Sequence, residues 1–274
     1  LRNSSAASDV YKRQALKLAK KVTGRKEFIA AKNSYHGSTQ GALSLLGVED
    51  QKKGYEPLLP GVKFIRFNNI NDINLINSKT AAVVLETIQG GAGFILPKNN
   101  FLKLVKKKCQ STGTLLILDE IQPGFGRTGK LFGFEHYDVI PDIIVMGKGM
   151  GGGLPIGAFC SSKKMMRLLE NNPKLGHITT FGGNPVVAAS ALATLKTIYK
   201  ENLIDSVNEK EMLFRKRLDH TLIKKINGKG LMLAIIFEKK SIANKLVLNS
   251  LDKGLILFWL LWEKKAVRIS PPLN

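Results

Sequence analysis

Five short β-branched or apolar runs recur along the first half of the chain: Phe28-Ile29-Ala30, Val62 to Phe67, Ala81 to Leu85, Thr114 to Leu118 and Ile143 to Met146. Helical segments stand between them, and alternation of this kind predicts an α/β fold with a mainly parallel, doubly wound sheet. Phe101 to Gln110 carries Leu102, Val105 and Cys109 at helical spacing and ends near Gly113, which suits a crossover helix. After Pro185 the pattern changes. A long helical stretch from Val186 to Leu222 leads to a strand-like Leu231 to Phe237, a helix around Ala243 to Leu251, and further strands at Leu255 to Leu260 and Val267 to Ile269. That half reads as a smaller α+β domain beginning near residue 200.

At 274 residues with 44% hydrophobic content the chain can bury a real core. No apolar run approaches the ~20 residues of a membrane helix, and the start lacks the basic-then-apolar order of a secretory signal. Cys109 and Cys160 offer neither a disulfide framework nor metal spacing, so a reducing compartment, the cytoplasm, is expected. The formal net charge of +21 admits nucleic acid or a membrane face as partner. However, the lysines fall in short dispersed runs such as Lys106-Lys107-Lys108 without interleaved aromatics, so no nucleic acid and no membrane is the expectation. Both ends read as those of a fragment. Residues 1–14 match neither the following helix, which is expected around Ala15 to Lys20, nor any motif, and they read as a segment foreign to the fold.

Two expected strand ends carry the chemistry. Thr114 to Leu118 runs into Asp119-Glu120-Ile121-Gln122, and Ile143 to Met146 into Gly147-Lys148-Gly149-Met150-Gly151-Gly152-Gly153. Ligands of open α/β sheets bind at that edge. A lysine between glycines can turn sharply beside a ligand, and partial desolvation near cations lowers its pKa toward that of a usable amine nucleophile. An amine paired with a buried carboxylate suits Schiff-base chemistry on a pyridinium ring, with Asp119 keeping the ring nitrogen protonated. Taken singly, an Asp at a strand end is a cap or turn former and a Gly-flanked Lys a loop residue. The combination is what points to a site.

These residues, with Asn33-Ser34-Tyr35-His36-Gly37, Glu86-Thr87-Ile88-Gln89-Gly90, Leu118 through Phe132, Pro141 through Gly157, Thr179 through Pro185, Gly230-Leu231-Met232 and Arg268 to Leu273, resemble the class III, acetylornithine/ornithine-type aminotransferases almost unbroken from Ala15 to Leu273. The resemblance implies fold type I: a mainly parallel sheet of the seven-stranded type in a large domain, residues 15–199, and a smaller C-terminal domain, residues 200–274, both truncated. It implies pyridoxal 5'-phosphate as cofactor, Lys148 and Asp119 as catalytic residues, and Gln122, Tyr35, His36 and Thr180 as further cofactor contacts. Arg268 resembles the arginine that takes a substrate carboxylate, with Thr179, Ser38 and Glu86 as further substrate contacts.

The implied partners are a small-molecule ω-amino donor and a 2-oxo acid, in a homodimer where Thr180 reaches the neighbour's cofactor. The implied setting is amino-acid metabolism of the arginine-biosynthesis kind. Three departures stand out. The family's phosphate loop is absent before Ala15, Ser38 stands where an arginine usually follows Tyr-His-Gly, and Gly91 stands where a glutamate pairs with the carboxylate-binding arginine. An aminomutase or decarboxylase of the same fold remains an alternative, and a non-catalytic basic binding protein a third.

Overall fold

The computed structural model describes residues 4–274, with side chains from Tyr11 onward. Helix α1 (Ser4–Thr23) precedes β1 (Glu27–Ala31), the single-turn α2 (Gln40–Leu43), β2 (Val62–Ile65), β3 (Thr80–Glu86), α3 (Phe101–Thr112), β4 (Leu115–Asp119) and β5 (Ile143–Gly147). Then follow β6 (Gly157–Ser161), the single-turn α4 (Lys163–Met166), α5 (Pro185–Lys200) and α6 (Val207–Arg217). The chain ends with β7 (Ile223–Lys229), β8 (Met232–Phe237), α7 (Lys240–Asp252), β9 (Phe258–Trp259) and β10 (Ala266–Ile269).

The first sheet runs β2-β1-β3-β4-β5-β6, with every pairing parallel except β5 with β6. Its strands alternate between two cores, as a period of two requires. Phe28, Ala30, Ala82, Val84, Ile117, Ile143 and Val145 pack with Leu18 and Ala19 of α1. Ile29, Ala31, Val83, Leu85, Leu116 and Leu118 pack with Phe101, Leu102, Val105 and Cys109 of α3. Both faces being covered, β3 is buried along its whole length and reads as a continuous apolar run. The helix expected near residue 101 is α3, closed by Gly113 at φ 66 in the left-handed region that glycine adopts without cost.

Four expectations change. The seventh strand of the central sheet has no counterpart among the described residues, which form six. The segment read as foreign is helical from Ser4 onward, residues 1–3 lying outside the described residues. Lys12, Gln14, Ala15, Leu16, Leu18 and Ala19 are buried at helical spacing, and Tyr11 packs against the first core. The stretch Val186 to Leu222 is two helices, because the chain turns at Asn202, whose φ is 50, and closes α6 at Leu218. Finally, β7 was not anticipated: its alternation, Ile223, Ile226 and polar residues between, is too weak to distinguish from a helix end.

The second sheet, β7-β8-β10-β9, is antiparallel throughout, with α7 packed on Ile235, Phe237 and Val267. Its other face meets Ile88 and Phe94 from the loop after β3. The two sheets are tied where Leu231 N donates to Arg127 O at 2.9 Å. Gly230, at φ 61, allows that approach: a Cβ there would fall 2.6 Å from Arg127 O and from Thr128 Cα. Among the described residues no helix is long and apolar enough to cross a membrane.

Candidate active site

Parallel register brings three acidic or basic positions to one edge. Glu86 ends β3 opposite Asp119 at the end of β4, and Asp119 stands opposite Val145 of β5, three residues before Lys148. Adjacent strands are about 4.8 Å apart, so residues far apart in sequence become neighbours at the carboxyl edge. Lys148, Asp119, Glu86, Tyr35, Gln122 and Arg268 line one cavity of about 280 Å³. Lys148, Gln122 and Arg268 also line a second, of about 890 Å³.

Lys148 opens a 3-10 turn with φ 48, an unusual value for a residue with a side chain. It is exposed to these open cavities, with protein packed around the rest of it. Burial, followed by the Lys12 charge, pushes its pKa below the ordinary lysine value. Asp119 is in the opposite condition. Burial opposes its ionisation, but Lys12 Nζ at 2.8 Å and His36 Nδ1 at 2.9 Å hold its carboxyl well below the usual carboxylate range. Ile121 N adds a bond to the other oxygen at 3.2 Å. His36 is wholly buried, and its Nε2 has no partner among the described residues.

Glu86 accepts from Gly90 N at 2.9 Å and Tyr35 N at 3.1 Å, and burial raises its pKa. It therefore fastens two loops that wall the cavity. The hydroxyl of Ser38 stands 3.3 Å from that of Tyr35. Arg268, in β10, is half-buried over the ring of Phe258 at 5.6 Å, and burial lowers its pKa. Thr179 and Thr180 are exposed and line a separate cavity with Tyr11, Pro155, Phe181 and Asn184, so within one chain they are not brought to Lys148.

Three residues escaped sequence reasoning. Lys12 is a buried cation where a solvated helix lysine would be assumed, and only the packing of α1 reveals it. Glu120 is wholly buried; Thr87 Oγ1, Gly133 N and Phe134 N donate to it, and burial pushes its pKa up to about 7. Trp262 lies against Gly91, and the glycine was the one trace of it in the sequence.

The donor set fits pyridoxal phosphate at the ring. A protonated ring nitrogen needs a fixed anion in a dry pocket, and Asp119 already holds a cation, Lys12 Nζ, in that arrangement. An amine with lowered pKa shares the cavity. Lys12 would have to leave Oδ2 for a ring nitrogen to take its place.

A sequence model of the family described as aminotransferase class-III matches residues 5–274. The chain is 43% identical over 226 residues to a [LysW]-aminoadipate semialdehyde/glutamate semialdehyde transaminase from Sulfolobus acidocaldarius, covering 81% of this chain and 58% of that protein. It is 39% identical over 271 residues to an acetylornithine aminotransferase from Caldanaerobacter subterraneus, covering 94% and 67%. Among solved structures it superposes on an ornithine aminotransferase from Toxoplasma gondii with a TM-score of 0.90 at 30% identity, covering 97% of this chain and 66% of that one. The chain thus spans about three fifths to two thirds of the length of these relatives.

Proposed function

The chain belongs to the class-III aminotransferases, a pyridoxal-phosphate-dependent family of fold type I, and from that premise we propose that it catalyses transamination between an ω-amino donor and a 2-oxo acid. The observation that carries this reading is the convergence of Lys148 and Asp119 on one cavity, both with lowered pKa, which makes the amine easier to deprotonate and keeps the carboxyl ionised. When bound, pyridoxal phosphate supplies a sink for the electron pair released at the substrate Cα.

The chain's own groups do the rest. Lys148 Nζ would hold the cofactor, and as a free amine it would move the proton at the substrate Cα. Asp119 would hold the proton on the ring nitrogen, and His36 and the Ile121 N–H fix that carboxylate in place. Tyr35 is assigned to the ring face, Gln122 to the ring oxygen and Arg268 to a substrate carboxylate through a bidentate pair. Ser38 and Glu86 are assigned to the substrate wall, to which Thr179 would come from a neighbouring subunit, since it lies apart from Lys148 of its own chain. Thr180 is assigned to the cofactor of a neighbouring subunit, since its exposed loop lies apart from Lys148 of its own chain. Residues 15–199 form the cofactor-binding domain in this reading and residues 200–274 the smaller one, in a cytoplasmic homodimer.

Acetylornithine or ornithine is the first donor to test and 2-oxoglutarate the first acceptor, in keeping with the relatives' names. The test is uptake of pyridoxal phosphate followed by its visible absorbance, with amino transfer measured with and without added oxo acid. Lys148→Ala should abolish the band of lysine-bound cofactor and reduce transfer to background. A band that persists in Lys148→Ala removes the central assignment. Turnover that needs no oxo acid favours the aminomutase or decarboxylase alternative.

A further inference from the structure

Strand β9 lies antiparallel to β10, with Phe258 opposite Arg268 and Trp259 opposite Val267. Directly opposed residues of such a pair share one face of the sheet, and the next pair takes the other. Val267 packs with α7, and Trp259 follows it there, its Nε1 donating to Asn244 Oδ1 at 2.8 Å. Phe258 and Arg268 share the opposite face, and both line the cavity that holds Lys148 and Asp119. The guanidinium carbon of Arg268 stands over the Phe258 ring, 5.6 Å from its centre. The chain beyond β9 is fixed as well, since Trp262 N and Glu263 N both donate to Gly91 O, at 2.9 and 3.3 Å.

Among the described residues Arg268 makes no ion pair, although it is half-buried. The two carboxylates that line its cavity are engaged elsewhere: Glu86 with Gly90 N and Tyr35 N, Asp119 with Lys12 and His36. Position 91 cannot supply a third. A Cβ there would fall 2.7 Å from Trp262 Nε1 and 2.8 Å from its Cδ1, closer than packed atoms approach, so the space is already full. The charge of Arg268 is nevertheless felt at the site: burial first, then Lys12 and lastly Arg268 lower the pKa of Lys148. A long side chain with nothing to hold it costs any ligand that must fix it the entropy of its rotamers. A ring face supplies attraction without neutralising the charge, because a guanidinium within about 6 Å of an aromatic centroid is drawn to the ring quadrupole. The planar fork then keeps its edge free for a carboxylate.

We propose that Phe258 is the positioning residue for Arg268: its ring holds the guanidinium in the cavity of Lys148 where no acid stands to do so, and leaves the charge whole for a substrate carboxylate. The ligand class is a carboxylate-bearing oxo acid or its amino acid. The proposal rests on the transaminase reading for the identity of the cavity. Its consequence is that Arg268 is ready in both directions of amino transfer. An acidic partner must be displaced before a carboxylate can bind, whereas a ring beneath the guanidinium can stay where it is.

The test uses the pyridoxal-phosphate-loaded protein and glutarate, a dicarboxylate that cannot react, by isothermal titration calorimetry. Phe258 is 53% exposed, so Phe258→Leu, which keeps an apolar side chain on the strand, should fold. It should weaken glutarate binding about two- to fivefold, the worth of an exposed cation–π contact. Phe258→Trp, with the stronger ring, should bind glutarate as tightly as the wild type or tighter. The second arm is a cycle with Arg268→Met, read as kcat/KM for 2-oxoglutarate. Phe258→Leu should raise KM more than it lowers kcat, and should cost nothing further once Arg268 is gone. A ring that served only the packing of β9 would cost the same with or without Arg268. That result would overturn the proposal, as would unchanged glutarate affinity in Phe258→Leu or no glutarate binding by the loaded wild type. Failure of the wild type to take up pyridoxal phosphate would instead sink the transaminase reading, so the two failures are distinguishable.

Discussion

Asp119 is the residue on which the proposed chemistry turns. It is buried and ionised because a cation and an imidazole face it, and a carboxylate so fixed can keep a ring nitrogen protonated. Asp119→Asn preserves shape and removes the charge. We expect the variant to retain cofactor while Cα–H cleavage slows by several orders of magnitude, measured by single-turnover decay of the cofactor band, since a neutral pyridine is a poor electron sink. Near-normal rates would mark Asp119 as a structural cap. Lys12 gives a second expectation at this scale. Its ammonium and a ring nitrogen compete for the same oxygen, so Lys12→Met should tighten pyridoxal phosphate binding by about tenfold while destabilising the cofactor-free protein, which then keeps a buried carboxylate with one partner fewer. Binding titration and the melting temperature of the cofactor-free form check the two halves.

At the scale of elements, the strand ends are held in place by carboxylates that do no chemistry. Glu120 follows Asp119 directly, points to the other side of the sheet edge and gathers Thr87, Gly133 and Phe134. It thereby pins the turn that follows β4, and with it the height of Asp119. Burial raises its pKa from 4.5 to about 7, so the folded state holds a proton that the unfolded chain releases at lower pH. The sign follows from linkage: this stabilisation is full below pH 4.5, declines as pH rises, and is gone above about 7. Glu120→Gln cannot titrate. The stability of wild type relative to this variant should therefore fall, by roughly 3 kcal/mol, between pH 4.5 and 7, as read from denaturant midpoints. A difference independent of pH would show that the three donors keep Glu120 ionised throughout.

For the whole molecule, the exposed loop around Thr180 is the feature that one chain leaves unexplained. Phe181 is 81% exposed and Ile178 69%, apolar area that a monomer rarely leaves in water and that suits a covered interface. In the proposed dimer Thr180 serves the neighbour's site. Thr180→Val should then weaken cofactor retention in the homodimer, whereas mixed dimers with Lys148→Ala subunits should contain one site that has lost both groups and one that keeps both. Such mixtures should recover part of the amino transfer, which neither homodimer can do well. Sedimentation as a monomer at micromolar concentration, or no recovery in the mixture, would remove the dimer from the account. The +21 charge fits into this picture without any nucleic acid, because a cofactor phosphate and carboxylate substrates both gain from a positive field.

Much of this was legible in the sequence, and for local reasons. The strands β1 to β5 are β-branched runs of the right length, α3 has its spacing and its glycine stop, and Lys148 among glycines after a strand announces an unusual backbone, which φ 48 bears out. Asp119 and Lys148 at the ends of apolar runs had to reach the same edge once the sheet was parallel. Other features depended on contacts between segments far apart in the chain, and no local pattern could carry them. Lys12 is a cation on a helix until α1 packs against the sheet and presents it to Asp119, 107 positions later. Similarly, Glu120 looks like half of an acidic pair until burial separates its fate from that of Asp119. The absence of a side chain at Gly91 was visible from the start as the loss of a carboxylate, but its cause was not. Trp262 comes from the second sheet, 171 positions away, and only the folded chain lays its indole where that side chain would have stood. Periodicity and spacing determine which elements form and at which edge their ends meet, because those follow from interactions a few residues long. Which groups are stripped of water, and which are left without partners, is decided by the packing of the whole.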